Sequence, residues 1–176
     1  MGLTSKNMKY EKEYLLKTKN IVENLILSGD ILDNSLDHVS EYHYDADIRD
    51  LEKRRKSLEN QIVNASSFDY GIDVRGMIVD TLLANIWDIA TIAMDEADDE
   101  AIILQKTYDV RIGYGIFREY QNGMETTISE CCTCTVVLGQ KIIDGKSILF
   151  VKTAYPSNEE SDPPLTYEDL APLFSK

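Results

Sequence analysis

Apolar positions in the first half of the chain recur at helical spacing. Tyr14, Leu15, Ile21, Val22, Leu25 and Ile26 predict a first helix, with Gly29 after Ser28 as its stop. Asp30, Asp33, Asn34 and Ser35 form a polar joint that caps a short second helix through Leu36 and His38. A third helix fits Asp45 to about Asn64, with Asp45 as N-cap and Ile48, Leu51, Leu58 and Ile62 as its apolar stripe. On a neighbouring face Arg49, Lys53 and Lys56 align at steps of four and three, the spacing of side chains that meet on a helix. Such a ridge is ordinarily a solvated face. A fourth helix fits Asp73 to about Met94. Its apolar residues (Val74, Ile78, Leu82, Ile86, Trp87, Ile89 and Ala93) cover a wide arc, so it is expected to be the most buried helix. The run Asp95, Glu96, Asp98, Asp99 and Glu100 would oppose the dipole at its C-terminus and predicts a solvated loop. Its spacing lacks the order and the glycine of an EF-hand.

The period then changes. Val110, Ile112, Tyr114 and Ile116 alternate with Arg111, Gly113 and Gly115, which is strand spacing. Gln121-Asn122-Gly123 predicts a turn. Cys132 to Leu138 and Ser147 to Thr153 read as strands joined through Asp144-Gly145, a strong hairpin signal. After Pro156 the chain is expected to form a loop, ending in a short helical turn near Tyr167 to Leu173. Helices first and strands later predict an α+β fold, with the N-terminal helices packed on a C-terminal antiparallel sheet. A length of 176 residues suits a single domain over 1–176 with a core of its own.

Charge complicates the functional picture. Eighteen basic residues stand against 31 acidic ones, a net charge of −13. That balance repels anionic surfaces and opposes general nucleic-acid binding, whose affinity comes largely from basic contacts to phosphate. No apolar run reaches the length of a membrane span, and the N-terminus has neither a signal-peptide build nor a myristoylation site. The three cysteines, Cys131, Cys132 and Cys134, are an odd number crowded in one segment and make no disulfide framework; a reducing compartment is expected. On a single strand, Cys132 and Cys134 would share one face and Cys131 the other. They lack a second ligand pair at zinc spacing, so no metal or other cofactor is expected. Nucleophile elbows, P-loops and dinucleotide fingerprints are also missing.

What remains is a set of groups suited to cleaving a phosphodiester. His38 stands in the short second helix, and Arg49 follows eleven positions later at the head of the basic ridge. Thr153 and Tyr155, two apart in Lys152-Thr153-Ala154-Tyr155-Pro156, would point to the same side of a strand. A histidine titrating near neutrality can take the proton of a ribose 2′-hydroxyl. An arginine can support the pentacoordinate phosphate with its fork of donors. A hydroxyl or phenol can orient the phosphate or protonate the leaving oxygen.

The order of these residues carries a resemblance. His38-Val39, Arg49, Ala65-Ser66-Ser67-Phe68, Ile112-Gly113-Tyr114-Gly115 and the closing Val151-Lys152-Thr153-Ala154-Tyr155-Pro156 follow one another along the chain. This resembles the C-terminal toxin domains of bacterial contact-dependent inhibition proteins (CdiA) that share the ribonuclease A fold without its disulfides. The resemblance runs from His38 to Pro156. It implies a kidney-shaped, ribonuclease A-like core over 31–156, flanked by an N-terminal helical extension over 1–30 and an acidic, proline-containing tail over 157–176. It also implies a metal-independent RNA endonuclease toxin that cleaves by transphosphorylation to a 2′,3′-cyclic phosphate. His38, Arg49, Thr153 and Tyr155 would be its catalytic residues, and Lys53, Lys56 and Lys152 would help bind substrate. Implied partners are RNA, with transfer RNA among the candidate targets, and a cognate immunity protein. The implied site of action is the cytoplasm of a cell into which the toxin is delivered. Two positions depart from the family pattern: Asp33 stands where many members carry an additional histidine, and Ser67 replaces the usual threonine.

The charge supports a different class of protein, a non-enzymatic acidic binding protein such as an immunity protein or a regulator of a basic partner. Under that reading Asp95 to Glu100 would matter more than His38.

Overall fold

The computed structural model describes residues 12–32, 35–47, 49–51, 53, 65–94, 101–119 and 125–174. Helix α1 (Lys12–Ser28) buries Leu15, Val22 and Ile26, spaced seven and four apart on one face. Tyr14, Ile21 and Leu25 of the expected stripe are instead exposed, because the buried face is the one turned toward the core. A 3-10 turn (Asp30–Leu32) buries Ile31 and Leu32, and α2 (Ser35–Tyr42) follows where the polar joint predicted it.

The chain then forms a tight turn rather than starting a helix at Asp45. Asp45 has a φ of +47°, which an N-cap does not adopt, and its amide donates to Phe68 O at 2.9 Å. Asp47 takes the capping role: its Oδ1 accepts from Arg49 N at 2.9 Å and its carbonyl from Leu51 N at 3.0 Å. Most of the expected third helix, including Lys56, Leu58 and Ile62, lies outside the described residues, as do Asp95 to Glu100 and the Gln121-Asn122-Gly123 turn.

The long fourth helix is two helices. Asp73 caps α3 (Val74–Ala84), accepting from Gly76 N at 3.0 Å, and α4 (Ile86–Met94) leaves at a bend of 68°. Asn85 makes the break. Its side-chain amide donates to Thr81 O at 2.8 Å and to Gln105 O at 3.1 Å, a competition with helical bonding for which asparagine is suited. The apolar arc then buries Ile78 and Leu82 from one helix and Ile86 and Ile89 from the other.

Among the described residues, six strands follow the α+β expectation, but they divide between two antiparallel sheets. Strands β1 (Ala65–Phe68), β3 (Gly113–Glu119) and β4 (Glu125–Cys131) form one in the order β1-β3-β4. Strands β2 (Ile102–Thr107), β5 (Thr133–Ile143) and β6 (Lys146–Ser157) form the other in the order β2-β5-β6. The predicted alternation overreached at Val110, which is exposed and precedes β3. Asp144 and Gly145 have φ of +50° and +75°, the left-handed pair that a two-residue hairpin turn between β5 and β6 requires.

The cysteines do not share a strand. Cys131 ends β4, Cys132 lies between strands and Cys134 belongs to β5, so Cys131 and Cys134 are both buried while Cys132 is half-buried. All three are free thiols. One core joins α1, α3, α4 and the β2-β5-β6 sheet through Ile26, Ile78, Leu82, Ile89, Leu104, Val136 and Val151. The tail builds a second, smaller cluster: a capping box at Thr166 starts α5 (Tyr167–Leu170), whose Leu170 packs with Leu15 and Ala90.

Candidate active site

Where α2, β1 and β6 meet, a cleft of about 390 Å³ opens beside the two histidines. His38, on α2, is exposed and stacks near Tyr42, with 4.8 Å between ring centres. His43 follows the helix end and is held from both sides. Its amide donates to Val39 O at 2.8 Å, and its carbonyl accepts from Phe68 N at 2.7 Å. The Ala65-Ser66-Ser67-Phe68 segment therefore acts as a splint for this turn. Ser67 Oγ accepts from Ala46 N at 2.9 Å, and Ser66 O lies 3.1 Å from His43 Nδ1. A carbonyl accepts only, so this contact is a hydrogen bond in the form of the ring that carries a proton on Nδ1.

The cleft brings the aromatic groups together. The His43 ring centre lies 5.6 Å from that of His38 and 5.9 Å from that of Tyr155. Thr153 and Tyr155 line the same cleft from β6, as their spacing predicted. Burial raises the Tyr155 phenol above its usual pKa, and the Glu159 carboxylate adds to the effect. The phenol is thus a proton donor at neutral pH rather than a base. Thr153 Oγ1 is buried and has no hydrogen-bond partner among the described residues. A buried hydroxyl left so costs about 1–3 kcal/mol, a cost that a bound acceptor removes.

Opposite sheets contribute the remaining wall. Gln105 Nε2 donates to Thr135 Oγ1 at 3.2 Å, and Thr135 Oγ1 donates to Ser157 Oγ at 3.1 Å. Phe117 reaches the cleft from β3, and Gly115 makes room for it: a β-carbon there would collide with the Phe117 ring. That close approach is a physical reason for glycine in the Ile112-Gly113-Tyr114-Gly115 motif.

The basic residues stand elsewhere. Arg49 is exposed at the start of the helical turn capped by Asp47, and Lys53 is exposed at 3.9 Å from Asp50. Lys152 is exposed at the register shift between β5 and β6, where it has no cross-strand partner. The cleft lining does not include Arg49, Lys53 or Lys152, and Lys56 lies outside the described residues. Conversely, no pattern in the sequence assigned a role to His43, Gln105, Thr135 or Glu159. His43 was visible only as the second of two histidines, five residues after the first and beyond the helix that carries it. Among the described residues, no three His, Cys, Asp or Glu side chains converge to hold a metal ion.

Comparison with known families decides the relationship. The family model described as the bacterial CdiA-CT RNAse A domain matches residues 37–156, more than half of the chain. The chain belongs to this family. Its fold is accordingly α+β and ribonuclease A-like, and the family points to ribonuclease activity. A solved structure supports the fold: the crystal structure of a CdiA-CT/CdiI complex from Y. kristensenii 33638 superposes with a TM-score of 0.52 at 16% identity. The superposition covers 68% of this chain and 98% of that one. Comparison with curated proteins yields no match. His38, Arg49, Thr153 and Tyr155 all fall inside the CdiA-CT match, as does His43. Helix α1, Ser157, Asn158 and Glu159 fall outside it.

Proposed function

We propose that the protein is a metal-independent RNA endonuclease toxin that cleaves by transphosphorylation, leaving a 2′,3′-cyclic phosphate. The observation that carries this reading is the meeting of His38, His43, Thr153 and Tyr155 in one cleft of a CdiA-CT RNAse A domain. One imidazole takes the proton of the 2′-hydroxyl, whose oxygen attacks the phosphorus. The O5′–P bond breaks, and a second acid, the other imidazolium or the Tyr155 phenol, protonates the leaving oxygen. The Thr153 hydroxyl donates to a nonbridging phosphate oxygen, which supplies the partner it lacks. Arg49, which lies outside the cleft lining, is assigned the stabilisation of the developing charge once RNA is bound, and Lys53, Lys56 and Lys152 attract the backbone.

The acidic total does not oppose this chemistry, because screening limits charge effects to about 10 Å and the reacting phosphate meets its own neighbours. By likeness to the neighbour crystallised as a CdiA-CT/CdiI complex, a cognate immunity protein is the proposed inhibitor, and the cytoplasm of a recipient cell the proposed site of action. The direct test is incubation with total bacterial RNA in EDTA beside His38→Ala. Cleavage that survives the chelator, yields cyclic-phosphate ends and vanishes in the variant supports the reading. Equal activity of His38→Ala removes its centre.

A further inference from the structure

The same cleft holds groups that this reaction leaves unused: Gln105, Asn158, Glu159 and the ring of Phe117. Gln105 Nε2 donates to Glu159 Oε2 at 3.4 Å as well as to Thr135 Oγ1. Carboxylates only accept, so this pair fixes the orientation of the amide. Gln105 Oε1 and Glu159 Oε1 are acceptors that those bonds do not use.

The segment carrying Glu159 is pinned to the sheet. Thr133 Oγ1 donates to Glu159 O, Ser161 N donates to Thr107 Oγ1 at 2.9 Å, and Thr107 N donates to Ser161 Oγ at 3.2 Å. The carboxylate is therefore presented by a held backbone, and it stands close enough to Tyr155 to raise its pKa.

A carboxylate repels phosphate, so this wall does not suit the RNA backbone. It suits a base edge rich in donors. Guanine offers two adjacent donors, N1–H and the exocyclic amine, which match the two oxygens of one carboxylate. Adenine and cytosine offer a single amine beside a ring acceptor. Uracil offers one N–H between two carbonyls that a carboxylate would repel.

We propose that Glu159, Gln105, Asn158 and Phe117 form a guanine-binding subsite beside the catalytic groups. Glu159 accepts from N1–H and the amine, the Asn158 amide donates to O6, and the Phe117 ring packs against the base. The subsite rests on the ribonuclease reading of the cleft. It extends beyond that reading to base preference, through a subsite of which Asn158 and Glu159 follow the family match.

The test is calorimetric titration of the full chain with guanosine, inosine, adenosine, cytidine and uridine, alongside cleavage mapping on an RNA of defined sequence. Guanosine should bind at least tenfold more tightly than adenosine, cytidine or uridine. Inosine, which lacks the amine, should fall between. Glu159→Gln, checked for folding by its melting temperature, should lose the preference, and the wild-type ranking decides alone if that variant does not fold. Equal binding of the nucleosides overturns the subsite, as does a preference that survives in a folded Glu159→Gln. Selective guanosine binding without RNA cleavage supports the subsite and removes the ribonuclease reading. Cleavage at bonds with no guanine at a fixed neighbouring position keeps the ribonuclease and overturns the subsite.

Discussion

The imidazole of His43 lies 5.6 Å from that of His38 between ring centres, and its Nδ1 faces Ser66 O at 3.1 Å. Two imidazoles therefore address one cleft, one of them held with Nδ1 against a backbone carbonyl. Single replacements His38→Ala and His43→Ala should each lower kcat/KM for RNA by about 10²–10⁴-fold. A folded His43→Ala enzyme with unchanged kcat/KM would assign the ring a purely structural part.

Thr153 offers a separation of stability from activity. Its buried hydroxyl has no partner among the described residues, so Thr153→Val removes an unsatisfied group without opening a cavity. Urea unfolding should show stability unchanged or raised by up to about 1 kcal/mol, while RNA cleavage falls at least tenfold. Thr153→Ser should recover most of the cleavage. A Thr153→Val protein that unfolds more readily would mean that the hydroxyl has a partner in solution.

Asn85 links the helix break to the cleft wall, because its amide bonds both Thr81 O and the backbone of Gln105. Asn85→Ala leaves one buried and one part-buried carbonyl without this donor and should cost about 1–3 kcal/mol in chemical denaturation. Any loss of RNA affinity should be larger in this variant than in a distant variant of equal stability.

Alkaline stability follows from the buried thiols. Burial pushes Cys131 up to about 12 and Cys134 up to about 11. Both are protonated in the folded and unfolded states at neutral pH, so the stability they allow is fully present there. Above the ordinary thiol value near 9 the unfolded chain loses protons first, and stability falls as pH rises toward 11 and 12. Urea midpoints should therefore be flat from pH 7 to 8 and decline from about pH 9, and Cys131→Ala with Cys134→Ala should flatten the first part of that decline. In the native protein at pH 8, a thiol reagent should modify half-buried Cys132 well before the other two.

The amino-acid pattern by itself determined the class of fold and nominated candidate site residues, of which His38, Thr153 and Tyr155 line one cleft. Periodicity placed α1, α2 and the β5–β6 hairpin, because amphipathic spacing and the Asp144-Gly145 turn are local signals. Spacing along one strand was enough to put Thr153 and Tyr155 on the same side. The polar strands β1 and β4 were not legible, since Ala65–Phe68 and Glu125–Cys131 become strands only by pairing with β3. Nor was the break at Asn85, which depends on a carbonyl twenty residues away at Gln105. Only tertiary structure decided that His43 stands beside His38, and that Gln105 and Glu159 close the same cleft. Those groups come from a turn clamped by β1, from β2 and from a tail pinned to the sheet. Their proximity is set by long-range hydrogen bonds and packing, which no local period in the sequence encodes.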